Sequence, residues 1–598
     1  MYLSRIQIKN FRNFKSLDIP LNGNAIIVGE NRVGKSNLLF ALRLVLDTSL
    51  PDSARVLKRT DFWDGLDWAN EPTIEIHLDF SDFDSNVDLT ALLTDYRLQD
   101  EHTIARLSYV FKKKSEITGN ADSDSDFEFS IYGAGDETRS LSFNVRRKIC
   151  IEVLHALRDA ETELGNWNTS PLRPLLDDAV SGVSQQDKQA VAMNITQATK
   201  QITDLPSIKL LETSLVGKMG AMTGQSQDLN ASFGITSTDP QRLFRSIRLL
   251  IDGGKRGVND ASLGSANLVL LTLKLAEYEW LRQKNDQNFT IICIEEPEAH
   301  LHPQLQRSVF KKLFKDSREQ PINLFFTTHS PNIVSIAPLN SIVLLKKEND
   351  TSTVGYSLAN LSLPDLIMED IQRYLDVSKA EILFSKGVIF VEGDAEEALI
   401  SVFAKTLGHD LDELGITVCN VGGVNFDPYI SFVSAFDLPH CIITDWDPQD
   451  GNPPLGQQRI LKLIDLEKSF KSEPVLASEE KIRYSTNDIA LKELGQNYGI
   501  FSNDSTLEIE VAETEGLSSV LLEIFEAENY GVIRKKRLEE WRSGLQPING
   551  EQLLSMVADV GKGRLASRLA AKSSNLDPPD YIKKAIEYII SHVQPHTS

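Results

Sequence analysis

Short runs of alternating or unbroken apolar residues set the frame of this chain. Leu3–Ile8, Ile19 and Ala25–Val28 read as short strands joined by a turn, and a helix follows from Ser36 to about Leu46. The run Thr73-Ile-Glu-Ile-His-Leu-Asp-Phe80 alternates with the period of a half-buried strand, and residues 103–112 and 127–132 repeat that pattern. The acidic Ser/Gly-rich stretch Thr118–Asp126 between them reads as a loop. From about 150 to 250 the pattern turns helical and polar, and strand character returns at Phe289–Ile294 and Ile322–Thr327. A connector from Leu361 to Ser378 precedes a second α/β alternation, with strands at Gly387–Glu392, Ile416–Val421 and His440–Asp445. The last 90 or so residues read as mostly helical.

These runs predict an α/β protein in which one sheet-containing domain is interrupted by a helical insertion and followed by a second α/β domain. The expected divisions are 1–155 and 241–360 for the two parts of the first domain and 156–240 for the insertion. The connector covers 361–380, and 381–598 holds the second domain with a helical C-terminal region. No internal repeat and no low-complexity segment interrupts this order.

Composition narrows the class. A hydrophobic share of 41% and a charged share of 25% are those of a globular protein, and 598 residues require several cores. No run reaches the roughly 18 apolar residues of a membrane span. The start Met1-Tyr-Leu-Ser-Arg-Ile6 lacks the basic and apolar regions of a signal peptide. Cys150, Cys293, Cys419 and Cys441 are scattered without ligand spacing, which points to buried thiols and a reducing cytoplasm, with no membrane partner. The formal charge of -23 argues against a DNA-coating protein but leaves DNA binding open through local patches. Candidate patches are Lys112–Lys114, Arg146–Lys148, Arg242/Arg245/Arg248 and Arg534–Arg537, each of which can equally be a solvated face.

The first constellation with chemistry follows the strand Ala25–Val28. Gly29-Glu-Asn31-Arg-Val-Gly34-Lys35-Ser36-Asn37 is a G-x₄-G-K-S loop between strand and helix, so backbone N–H groups can wrap phosphates at a helix N-terminus. Lys35 would reach the β- and γ-phosphates of ATP and Ser36 would hold a Mg²⁺ ion. Thr290-Ile-Ile-Cys-Ile-Glu295-Glu296-Pro297 supplies the partner motif, with Glu295 on the metal side and Glu296 as base for the attacking water. His329, in Thr327-Thr-His-Ser-Pro331, reads as a γ-phosphate switch. Ala261-Ser262-Leu-Gly264-Ser-Ala-Asn267 opens a helix and matches an ABC signature loop only loosely.

Ile6–Phe14, the phosphate loop and Glu295–Pro303 together resemble the RecF/SMC/OLD branch of the ABC ATPases. That resemblance implies a helical dimerisation insertion, and a signature helix closing over the ATP of a second copy. One departure stands out: the usual Asp-Glu of that family is Glu295-Glu296 here, as in OLD-type proteins.

A second constellation lies in the later domain. Val388-Ile-Phe-Val-Glu392-Gly393 ends a buried strand in a carboxylate, and Glu396 follows one helical turn on. His440-Cys-Ile-Ile-Thr-Asp445-Trp-Asp447 ends another strand in D-x-D, with both acids expected on one side by the period of two. Acids meeting at the carboxyl ends of parallel strands call for hard cations, Mg²⁺ or Mn²⁺. The arrangement resembles a Toprim domain. No tyrosine-bearing strand-passage module and no primase zinc motif accompanies it, and Val421–Phe426 sits between the motifs as in OLD proteins.

That likeness implies a further metal ligand at Glu508, in a strand-like run Thr506–Glu508, and a lysine at Lys562 facing the scissile phosphate. The expected activity is two-metal DNA cleavage by an ATP-hydrolysing homodimer or higher oligomer, in antiphage defence or DNA processing. A UvrD-like helicase partner of the Gabija kind fits the same architecture. The alternative is a non-catalytic DNA-clamping ATPase with a vestigial Toprim domain.

Overall fold

The computed structural model describes residues 1–68, 72–117, 121–154, 163–164, 166, 170–223, 247–258, 261–284, 287–317, 322–348, 351–359 and 365–594. Its contacts gather into two units, Met1–Leu141 with Pro303–Ser598, and Ser142–His302. Arg242, Arg245 and the first residues of the expected connector lie outside the described residues. Among the described residues no helix is long and apolar enough to cross a membrane.

The larger unit opens with an antiparallel sheet. Strands β1 (Tyr2–Phe11), β2 (Phe14–Pro20), β4 (Thr73–Ser81), β5 (Ala105–Lys113), β6 (Phe127–Gly133) and β7 (Asp136–Ser140) run in the order β2-β1-β4-β5-β6-β7. The alternation read at residues 73–80 is real: Ile74, Ile76, Leu78 and Phe80 are fully buried. Strand β3 (Ala25–Val28) leaves this sheet and pairs in parallel with β12 (Ile322–Thr327) and β13 (Ile342–Lys347), with β14 (Thr353–Ser357) antiparallel at the edge. All four residues of β3 are buried, as a strand covered on both faces requires.

The same unit holds a four-stranded parallel sheet of β15 (Gly387–Val391), β16 (Ile416–Asn420), β17 (His440–Thr444) and β18 (Ile500–Ser502), ordered β16-β15-β17-β18. Helices Asp394–Thr406 and Asp580–Val593 bury Leu399, Phe403, Ile582, Ile586 and Ile589 against Ile389, Val391 and Ile443. The last helix sits so close that a Cβ at Gly387 would stand 2.6 Å from Val593. Since all the strands are parallel, their carboxyl ends gather on one edge, and the loops that leave them carry the acidic residues.

In the smaller unit, β8 (Ile149–Leu154) pairs in parallel with β11 (Phe289–Glu295). The helical pattern expected from about 150 onward therefore begins with a strand. Its six residues, Ile-Cys-Ile-Glu-Val-Leu, are too few to show a period and rich in β-branched side chains. Helices Leu172–Ser181, Gln185–Thr203 and Pro206–Thr223 follow, then the short strands β9 (Leu250–Ile251) and β10 (Arg256–Gly257) and the helix Leu263–Gln283.

The stretch expected as a connector carries a helix, Asp365–Tyr374. Two further expectations change. Thr506–Glu508 is the start of a helix, Leu507–Glu513, with Thr506 as its extended N-cap. Leu-Glu-Ile-Glu-Val mimics a period of two, yet burial of Leu507 and Val511 four residues apart follows the helical period. Strand β17 ends at Thr444, so Asp445 and Asp447 are not held by strand alternation. Asp447 instead takes a left-handed backbone with φ 51.

A buried ion pair braces the start of β17. His440 hydrogen-bonds through Nε2 to Glu467 Oε1 at 2.7 Å and through Nδ1 to the Leu438 carbonyl at 2.9 Å. Both ring nitrogens face acceptors, an arrangement that favours the doubly protonated ring. Burial opposes that charge, and Lys471 adds to the opposition. The Glu467 hydrogen bond and charge outweigh both and raise the His440 pKa. A raised folded pKa contributes stability that is fully present below the unfolded value of about 6.5 and is lost as pH rises through the folded value. Melting temperatures measured across neutral pH should fall more steeply for the parent than for Glu467→Gln; equal slopes would refute the pairing.

Candidate functional site

The acids at the carboxyl edge of the second parallel sheet come from four places. Glu392 follows β15, Glu396 lies in the first turn of helix Asp394–Thr406, Asp445 and Asp447 follow β17, and Glu508 opens helix Leu507–Glu513. Lys562 begins helix Lys562–Lys572 and pairs with Glu508 Oε1 at 3.0 Å.

These groups feel one another. Glu396, mostly buried, is pushed up to about 7 by burial and then by the charges of Glu508 and Glu392. Asp445 is pushed up to about 8 by burial, against a hydrogen bond from Asn503, with Glu392, Glu396 and Asp447 adding repulsion. For Lys562, burial lowers the pKa, but the charge and hydrogen bond of Glu508, with Asp445 and Glu396 behind, raise it above the usual lysine value. Removal from water and like-charge crowding both disfavour the ionised carboxylates, so a cation entering here would be welcomed by both.

Two residues that the motifs did not single out hold the acids in place. Arg459, from helix Leu455–Phe470, donates to Glu392 Oε1 at 2.7 Å and to Asp447 Oδ2 at 2.9 Å. Asn503, just past β18, donates to Asp445 Oδ1 and accepts from the Trp446 amide at 2.8 Å. Neither lies in a recognisable spacing, and only the folded chain brings them to the acids. Helix Leu455–Phe470 is itself seated on the D-x-D loop. Leu455 and Gly456 amides bond the Asp447 and Trp446 carbonyls at 3.1 and 2.9 Å, and a Cβ at Gly456 would stand 2.8 Å from the Asp445 carbonyl oxygen.

Whether the set suits a divalent cation can be tested on its own atoms. Glu508 Oε2 is buried and accepts no hydrogen bond among the described residues, which leaves a costly unpartnered oxygen on an acid of the cluster. With hard carboxylate oxygens throughout, the donor chemistry fits Mg²⁺ or Mn²⁺. Among the described residues no three His, Cys, Asp or Glu side chains already stand in a finished ligand cage, so ion binding requires the side chains to draw together.

The phosphate-loop residues have their own support. Gly34 carries φ 99, and a Cβ there would collide with the Asn13 side chain. Asn13 in turn accepts from Asn37 at 2.8 Å and donates to Thr353 at 2.9 Å, while Arg12 bonds Asn37 at 2.7 Å. The β1–β2 turn thus buttresses the loop, a role that the sequence run Ile6–Phe14 carries without announcing it. Lys35 donates to the Gly29 and Glu30 carbonyls at 2.8 and 2.9 Å, and Ser36 continues the helix Lys35–Leu46. Asn31 lies in the exposed tip of the loop. His329 follows β12, whose register sets Thr327 beside Ile27 of β3, so both segments leave the sheet at the same end.

The other nucleotide candidates belong to the smaller unit. Glu295 ends β11, and Glu296 takes a left-handed backbone with φ 45. Ser262 caps the helix Leu263–Gln283 by accepting from the Ser265 amide at 3.3 Å. Gly264 lies against the His300 carbonyl, where a Cβ would collide, so the signature-like helix start rests on the segment that follows Glu296. Of the basic patches, Lys112 is paired with Glu137, Arg534 with Asp559 and Lys536 with Glu540.

Comparison with known proteins agrees with both halves of this picture. Residues 1–334 match the family described as AAA ATPase domain, and residues 383–447 match the overcoming lysogenization defect protein-like TOPRIM domain. The OLD nuclease of Thermus scotoductus is 25% identical over 456 residues, covering 74% of this chain and 82% of that protein. Endonuclease GajA of Bacillus cereus strain VD045 is 23% identical over 584 residues, covering 93% of this chain and 94% of its own. Among solved structures, the C-terminal region of the Burkholderia pseudomallei OLD protein is 39% identical and covers 35% of this chain and 99% of that one, with a TM-score of 0.32.

The seat of helix Leu455–Phe470 on the D-x-D loop can be tested directly. Gly456→Ala forces a methyl group into the Asp445–Trp446 backbone and should destabilise the protein by about 1–3 kcal/mol, read from urea unfolding. Undiminished stability would mean that the helix and loop are not packed as described.

Proposed function

The chain belongs to the AAA ATPase domain family and carries an OLD-like Toprim domain behind that ATPase, and we propose that it is an ATP-hydrolysing, divalent-metal-dependent DNA endonuclease. The observation that carries this reading is the convergence of Glu392, Glu396, Asp445, Asp447 and Glu508 with Lys562 at one edge of a parallel sheet. An edge so charged has little structural value by itself, since burying carboxylates costs stability; its use lies in binding cations.

In this reading the five carboxylates would hold two Mg²⁺ or Mn²⁺ ions, whose chemistry there would be to lower the pKa of a water, so that hydroxide is available as nucleophile, and to offset charge on the departing oxygen. Lys562, exposed on one side and tied to Glu508 on the other, faces the phosphate and offsets its charge. The backbone of Gly29–Gly34 and the side chain of Asn31 cradle the ATP phosphates, with Lys35 on the β- and γ-phosphates and Asn37 bracing the loop. Ser36 and Glu295 hold the nucleotide's Mg²⁺, Glu296 orients the hydrolytic water, and His329 senses the γ-phosphate. Ser262 and Gly264 close over ATP held by a second copy.

The proposed domain division is an ATPase of residues 1–155 and 241–360, a dimerising insertion of 156–240, a connector of 361–380, and a nuclease domain of 381–598. The relatives named OLD nuclease and endonuclease GajA support DNA as the substrate. A homodimer or larger homo-oligomer, a cytoplasmic setting, a role in antiphage defence and a UvrD-like helicase partner complete the reading.

Separate sites predict separable losses. Lys35→Ala should abolish ATP hydrolysis, and Glu296→Gln should bind ATP yet turn it over slowly, both read by phosphate release. Asp445→Ala should reduce plasmid cleavage by about two orders of magnitude while ATP hydrolysis survives. Parent-like cutting by Asp445→Ala would sink the nuclease assignment.

A further inference from the structure

Arg459 has no part in the reading above, yet its guanidinium lies among the proposed ligands with its side chain 10% exposed. Besides Glu392 and Asp447, it donates to the Thr444 hydroxyl at 2.6 Å and to the Asp445 carbonyl at 3.0 Å. Two of these four acceptors are not carboxylates: one belongs to a strand end, the other to the backbone. The guanidinium is therefore anchored by fixed groups as well as by the acids it touches.

The distribution of hydrogen bonds is uneven in a way that matters for a cation. Glu392 Oε1 accepts from Arg459, from the Thr444 hydroxyl and from the Asp445 amide at 3.0 Å. Asp447 accepts from Arg459 on Oδ2 alone. No hydrogen bond within the protein uses the second oxygen of either carboxylate among the described residues. The planar fork thus takes one oxygen from the acid after β15 and one from the acid after β17, and leaves each with one.

We propose that Arg459 is a positioning residue of the cation site, which fixes Glu392 and Asp447 as ligands that each offer a single oxygen. The proposal rests on the metal-dependent nuclease reading. Its consequence is selectivity. Mg²⁺ demands a near-ideal octahedron of single oxygens, whereas Ca²⁺ accepts more ligands, bidentate carboxylates included. Carboxylates pinned to one oxygen suit the smaller ion; carboxylates free to swing suit the larger one.

The sign does not depend on charge. Removing the guanidinium takes away one positive charge, which changes the attraction for Mg²⁺ and Ca²⁺ alike, since both carry two charges. Loss of positioning penalises Mg²⁺ alone. The ratio of the two affinities therefore separates positioning from electrostatics.

The test is calorimetric titration of the full chain, without nucleotide, with MgCl₂ and separately with CaCl₂. Parent, Arg459→Ala and Arg459→Lys are compared, after thermal melts identify which variants fold. Arg459→Lys keeps the charge and most of the stem but loses the fork, so it serves even if the alanine variant does not fold. Both variants should lose Mg²⁺ affinity about tenfold more than Ca²⁺ affinity. Equal shifts for the two ions, or no shift, would overturn the proposal. Failure of the underlying nuclease reading looks different: the parent itself would bind neither ion at this edge, with Asp445→Ala titrating as the parent does.

Discussion

Mutual repulsion among five carboxylates is the constraint around which the C-terminal half of this protein is arranged. Burial first, with repulsion from neighbouring acids added to it, pushes Glu396 and Asp445 up to about 7 and 8. Two permanent cations oppose the repulsion. Arg459 spans Glu392 and Asp447, and Lys562 pairs with Glu508, so opposite ends of the cluster are partly neutralised. Two permanent cations do not match five acids, and Glu396 and Asp445 keep protons near neutral pH that a bound cation would displace.

Holding such a cluster requires stiff supports. The parallel sheet supplies them first, because β15 and β17 are neighbours and both end at the same edge. The helices supply the rest. Gly456 lets one helix press onto the D-x-D loop, and Leu565, Ala566 and Leu569 bury the face of the helix that begins with Lys562. Asn503 adds a further tie, binding the Asp445 carboxylate with one end and the Trp446 amide with the other. The apolar core therefore does more than stabilise the fold: it fixes the origin of every charged side chain in the cluster.

Where local pattern and chemistry coincide, the sequence could be read directly. Glu392 ends an unbroken apolar run and Glu396 sits one turn into the next helix, so strand, turn and helix were all visible. Asp445 and Asp447 were visible as a pair, but the strand period did not describe them, because a left-handed residue turns the loop after Thr444. Glu508 was found by resemblance and misplaced on a strand, since Leu-Glu-Ile-Glu-Val fits two periods at once. Arg459 and Asn503 could not have been found. Each is an ordinary polar residue in sequence, and its meaning arises from a contact spanning 67 or 58 positions. Arg12 and Asn13 are an intermediate case, lying within a run that marks the family while their hydrogen bonds to the phosphate loop belong to the fold.

The strands that carry the acids have a second end, and it is held by the ATPase strands. Lys386, the residue before β15, lies 3.8 Å from Glu30 of the phosphate loop. Asp437, three residues before β17, accepts from Lys346 of β13 through its carbonyl and from Tyr356 of β14 through its carboxylate at 3.1 Å. The two ties differ in strength. Glu30 and Lys386 are both half exposed, and such a pair contributes little in water. Lys346 is the more sheltered of the two cations, and its ammonium donates directly to the Asp437 carbonyl at 2.5 Å. A five-residue strand is only about 17 Å long, so Asp437 and Asp445 are separated by little more than β17 itself. β17 lies between β15 and β18, so it is held by pairing on both sides. Two hydrogen bonds from β13 and β14 meet Asp437 just ahead of β17, whereas the residue before β15 meets the phosphate loop through the exposed Lys386–Glu30 pair.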